Sequence, residues 1–178
     1  MPRVHFVKAA RKQNPAVEVG ESYYWWSTRI TIGKRYIGRK HYSKTYPKRS
    51  QLTSSEFLQR VYAVEEALES ALNNADKERD IQFLKDAIQN AVLELEDIAS
   101  ECRDKFDNLP ENLQSGPTGE TLESRADEVD VMISDLESVE FDDYDGLDVP
   151  DDGLISEDWL NWRDAKVEEV LLISYGGP

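Results

Sequence analysis

The chain has 178 residues and a mass of 20.4 kDa, with 36 Asp/Glu against 21 Lys/Arg and a formal net charge of −15. One cysteine and two histidines exclude a disulfide framework and a structural Cys/His zinc site. No apolar run approaches the roughly 20 residues of a membrane span, and MPRVHFVKAARKQ at the start holds no apolar core of signal-peptide length.

The charge is unevenly distributed. Residues 1–50 carry twelve Lys/Arg and two acids (Glu18, Glu21), a net of +10, and eight of the seventeen aromatic residues. Residues 51–178 carry nine basic and 34 acidic residues, a net of −25. Such an asymmetry points to nucleic acid or a charged partner; the alternative is mutual attraction between head and body, within one molecule or between two.

In chain order, Arg3–Val7 reads as a short strand and Asn14-Pro15 as a turn. Ser22–Ile32 is the clearest strand. Tyr24, Trp26, Thr28, Ile30 and Ile32 form its apolar face, and Tyr23, Trp25, Ser27, Arg29 and Thr31 a wetter one. Gly33-Lys34 and Gly38-Arg39 are turn signals, and His41–Tyr46 reads as a returning strand stopped by Pro47. A small antiparallel sheet follows, one that needs helical support because an isolated hairpin is marginal in water. Arg29, Lys34, Arg35, Arg39, Lys40 and Lys44, with Lys48 and Arg49, supply cations for backbone phosphates. Tyr23, Trp25 or Tyr36 could stack on unpaired bases, Tyr23 and Trp25 being the chosen candidates. Trp26 and Tyr24 are expected in the core.

Trp26, Arg29, Gly33-Lys-Arg-Tyr36 and Tyr42-Ser-Lys-Thr45 together resemble the three-stranded modules at the N-termini of phage-type tyrosine recombinases. That resemblance implies a sheet laid against DNA. Ile37-Gly38-Arg39-Lys40 is extra to the pattern and the recombinase catalytic domain is missing, so the implication is binding, not recombination.

Thr53-Ser-Ser-Glu56 fits a capping box opening a helix. Phe57, Val61, Val64, Leu68 and Ala71 give it a heptad seam. A second seam, out of phase, runs through Ile81, Leu84, Ile88, Ala91, Leu95, Ile98 and Cys102. The phase break at Asn73–Asp76 favours a turn into an antiparallel hairpin over one long helix with a defect. Asn108-Leu-Pro110 ends the second helix. Thr118 or Thr121 is expected to cap a third, with Leu122, Ala126, Val129, Met132, Ile133, Leu136 and Val139 inward. Cys102 lies on the second seam and reads as a buried, inert thiol.

Between Glu140 and Asp158 lie nine acids and no Lys or Arg. An EF-hand reading fails in both registers: Gly146 at position 6 puts Phe141 at position 1, and Gly153 at position 6 puts Pro150 at 3 and Trp159 at 12. Asp142, Asp143, Asp145, Asp148, Asp151 and Asp152 are therefore candidates for a partner-binding surface. Their carboxylates either mimic nucleic-acid phosphates, as in phage inhibitors of host enzymes, or form a solvated loop. Ser156 is expected to cap a final helix bearing Trp159, Leu160, Trp162, Val167, Val170, Leu171 and Ile173, too apolar for a free tail.

The segments Ser22–Thr53 (SYYWW…HYSK…SQLT) and Cys102–Arg125 (CRDKFDNLP-NLQSGPTGETLESR) resemble small proteins of tailed phages. The resemblance implies the cytoplasm of a bacterial host as the setting and brings no catalytic residues. The expected fold is α+β, mostly α: a basic aromatic β-module (1–52), a helical hairpin plus third helix forming an antiparallel bundle or coiled coil (53–140), and an acidic loop with a C-terminal helix (141–178). No phosphate loop, nucleophile elbow or zinc-protease motif is present. The expectation is a non-enzymatic binding protein without metal or cofactor. Its partners would be nucleic acid and a host or phage protein, the helices closing within one chain or against a second copy.

Overall fold

The computed structural model describes residues 2–32, 35–74, 81–141 and 157–177. It is mostly helical, with a small antiparallel sheet at the N-terminus followed by helices. The strands are β1 (His5–Val7), β2 (Tyr23–Ile32) and β3 (Arg35–Ser43), in spatial order β1-β2-β3 with both pairs antiparallel. A short 3-10 helix (Arg49–Leu52) leads to α1 (Glu56–Asn74), α2 (Ile81–Asp107), the single turn α3 (Glu111–Gln114), α4 (Pro117–Glu137) and α5 (Glu157–Leu172). No described helix is long and apolar enough to cross a membrane.

The chain divides into two compact units, Met1–Glu66 and Ala67–Pro178. The expected boundary at residue 52 is therefore displaced into α1. The reason is burial: Trp26 and Leu52 share the N-terminal unit with Val61, Tyr62 and Val64 from the first part of α1, all buried. A two- or three-strand sheet acquires its core from that helix.

Within this unit β2 buries Trp26, whereas Tyr24, also expected in the core, is half-buried. Trp26 is 2 % exposed and its indole Nε1 donates to the Gln51 carbonyl at 3.0 Å. The returning strand begins earlier than expected, at Arg35, and ends at Ser43. Gly38 is thus a strand residue opposite Arg29, not a turn, because pairing runs without a break from Ile32–Arg35 to Tyr24–Ser43. The α1 cap also moves. Ser55, not Thr53, accepts from the Leu58 N–H at 3.4 Å, while Thr53 Oγ1 accepts from the Ser55 N–H at 3.2 Å.

In the second unit, α2 packs along α4. The two run antiparallel, since Arg103 pairs with Asp130 while Glu96 and Glu137 meet at one groove. The close helical pair in this unit is α2–α4; the turn expected between the first two helices lies largely outside the described residues. Of the expected phase break at Asn73–Asp76, Asn73 and Asn74 end α1 and residues 75–76 lie outside the described residues. Leu84, Ile88, Ala91, Leu95, Ile98 and Cys102 are buried on α2, and Ala126, Val129, Met132 and Leu136 on α4. Cys102 is a buried free thiol.

The start of α4 differs from the expected threonine cap. Gly116 is the N-cap and Pro117 opens the helix, where a missing N–H costs nothing. Thr121 Oγ1 instead donates back to the Pro117 carbonyl at 2.6 Å. The turn before it is tight, for a Cβ on Gly119 would lie 1.9 Å from the Gln114 carbonyl oxygen.

In the same unit α5 buries Trp159 and Val170, and Tyr175 beyond it is buried as well. Phe141 meets Trp162 edge-on at 6.3 Å between ring centroids, with the Lys85 ammonium 5.6 Å from the Phe141 ring. The expected Ser156 cap and the six Asp of 142–152 lie outside the described residues.

Candidate nucleic-acid interface

The sheet register decides which predicted residues share a surface. Trp26 pairs with His41 and Thr28 with Arg39, on the face that holds the core. Trp25 pairs with His5 on one side and Tyr42 on the other, and Ser27 with Lys40, on the opposite face. That second face therefore carries Tyr23, Trp25, Ser27 and Arg29 from β2, Lys40 and Tyr42 from β3, and His5 from β1.

Trp25 is half-buried and not a bare platform. The His5 ring stacks on it at 4.3 Å and 10°, and the Lys40 ammonium lies 5.3 Å from its centroid. These two approach from different strands, β1 and β3. Tyr23, also half-buried, meets Tyr42 at 6.0 Å and 48°. The aromatic groups hold one another and position the cations. A base stacking on Trp25 would have to displace His5 or Lys40.

Of the predicted cations, Arg29 and Lys40 are exposed on this face. Gly38, which pairs with Arg29, adds no side chain beside it, and a Cβ there would come 3.1 Å from Ser27 Oγ. Arg39 is exposed but belongs to the opposite face, next to His41. Lys44 follows β3 and pairs with Glu21 at 3.0 Å. That carboxylate is held below the usual range by the Glu18 N–H and by Lys44 itself. Lys34 lies outside the described residues. Arg35 pairs with Ile32 in the backbone, and its side chain lies outside the description. The six cations thus do not form one patch. Two share the aromatic face, one lies on the other face and one is engaged.

His5 and Tyr42 complete this face and were not among the expected contact residues. Alternation places each on one side of its own strand, but only the cross-strand register brings both to Trp25.

On the core face, Thr28 Oγ1 and His41 Nε2 share a hydrogen bond at 2.7 Å, and His41 stacks on Trp26 at 5.3 Å and 13°. Burial lowers the His41 pKa from its ordinary value, and the Arg39 charge lowers it further. Among the described residues, no three His, Cys, Asp or Glu side chains gather as a metal site.

No protein-family model, curated protein or solved structure matches the chain.

Proposed function

We propose that this chain is a non-enzymatic binding protein that holds nucleic acid on the exposed face of its N-terminal sheet. The observation that carries the reading is the placement of Arg29 and Lys40 on one exposed face with Trp25, Tyr23 and Tyr42, opposite the buried Trp26. Both guanidinium and ammonium meet phosphate without first breaking an ion pair among the described residues. Their attraction to a polyanion is a counterion-release effect and falls with salt. Because His5 and Lys40 flank Trp25, backbone contact contributes more than base stacking.

The acidic helical unit is the part that docks to protein or to a second copy. Its charge opposes nucleic acid, but beyond roughly 8 Å at physiological salt that repulsion is largely screened. The tailed-phage resemblance supports the cytoplasm of a bacterial host as the setting.

Fluorescence anisotropy of the full chain with labelled duplex and single-stranded oligonucleotides, across a salt series, tests the proposal. Binding that weakens steeply with salt is expected. No binding at low salt would turn attention to the acidic segment and to capture of a host protein.

A further inference from the structure

The sheet is incomplete along one edge. β1 covers β2 only from Tyr23 to Trp25, whereas β3 covers it from Tyr24 to Ile32. Further along β2 a cleft of about 740 Å³ opens within the N-terminal unit. Ser27, Thr28 and Arg29 of β2 line it, with Pro2 ahead of β1, and no β3 residue does. Arg49, Ser54, Leu58 and Tyr62 also line it.

Arg49 is held in place twice. Its Nη1 donates to Glu65 at 3.0 Å, and its guanidinium carbon lies 3.7 Å from the Tyr62 ring centroid. A guanidinium fixed by a carboxylate and a ring keeps further N–H donors in a rigid fork, which suits phosphate oxygens. Arg29 is exposed at the same cleft, and Ser27 and Ser54 add hydroxyl groups. Leu58 and Tyr62 give it an apolar wall. The volume falls in the range of small-ligand sites.

We infer that this cleft, which shares Arg29 with the outer sheet face, takes a nucleotide by its phosphate. Arg29 and Arg49 hold the phosphoryl oxygens, and Leu58 and Tyr62 flank the sugar or base. The choice of a nucleotide over other phosphates rests on the nucleic-acid reading above; the cleft and its arginines do not. The phosphate belongs to a free nucleotide or to the end of a strand.

The test uses the full chain and two probes: a nucleoside 5′-monophosphate by titration calorimetry, and a short oligonucleotide with a 5′-phosphate or a 5′-hydroxyl by anisotropy. The mononucleotide should bind, inorganic phosphate in excess should displace it, and R49K should weaken it about tenfold by losing the fork while keeping the charge. A preference for the 5′-phosphorylated strand assigns the site to strand ends, and equal oligonucleotide affinities assign it to free nucleotide. Thermal unfolding of R49K and R49Q separates loss of the site from loss of the fold. The inference is overturned if no mononucleotide binds, or if both variants fold normally and bind it as the parent does. Oligonucleotide binding that persists alongside that result leaves the sheet-face reading standing. Mononucleotide binding without any oligonucleotide binding removes the sheet-face reading and keeps the cleft.

Discussion

Trp25 and Trp26 are adjacent in β2 and serve opposite faces of the sheet. Trp26 is 2 % exposed with its indole N–H on the Gln51 carbonyl, while Trp25 stacks against His5 at 4.3 Å on the outer face. Truncating the inner ring leaves a cavity and an unpaired carbonyl, so Trp26→Ala should cost about 3–5 kcal/mol. Trp25→Ala removes a half-buried ring and should cost much less. Denaturant unfolding of both variants, followed by circular dichroism, checks the order.

Gly119 carries a second structural requirement. In an ordinary helix interior, glycine to alanine stabilises by up to about 1 kcal/mol. Here the new methyl would meet the Gln114 backbone at 1.9 Å, an atom that moves only with the whole α3 turn. Gly119→Ala should therefore destabilise by roughly 1–3 kcal/mol. A lowered denaturation midpoint is expected.

His41 gives the N-terminal unit a pH dependence. Burial, then Arg39, lowers its pKa in the folded protein. The unfolded chain, with a histidine pKa near 6.5, then binds the proton more readily. Stability from this group is complete above about pH 6.5 and is lost as pH falls from there through the lower folded pKa. Thermal midpoints between about pH 7.5 and about pH 5.5 should fall less in His41→Gln than in the parent.

Charge in the acidic segment should act on binding through the solvent. Replacing Asp142, Asp143, Asp145, Asp148, Asp151 and Asp152 with Asn should raise oligonucleotide affinity modestly, with the gain shrinking as salt rises. Deleting residues 140–178 would be a poorer test, because Trp159, Val170 and Tyr175 are buried. Anisotropy at two salt concentrations measures the change.

The α-rich class, the position of β2 and most of the inward residues of α2 and α4 were legible in the sequence, although Ile81, Leu122 and Ile133 are only half-buried. They rest on periodicity, which every residue in an element reinforces. Cross-strand register was not legible, because Gly33-Lys34 and Gly38-Arg39 carry similar turn signals and only pairing distinguishes them. The same holds at the site: without register, Arg39 and Lys40 look equivalent, yet they lie on opposite faces. Helix partners were equally hidden. The α1, α2 and α4 seams are compatible with several pairings, and the tight α3 turn with Gly119 selects α2 with α4. Tyr175, buried beyond the last helix, has no periodic neighbours to betray it.

The role of the outer sheet face is tested most directly by the salt dependence of oligonucleotide binding for the full chain and for R29Q/K40Q. If both cations meet phosphates, the double variant binds more weakly, and the slope of log K against log salt becomes shallower by about 2. A parent protein that does not bind at low salt, or a double variant with unchanged affinity and slope, would contradict a nucleic-acid role for this face.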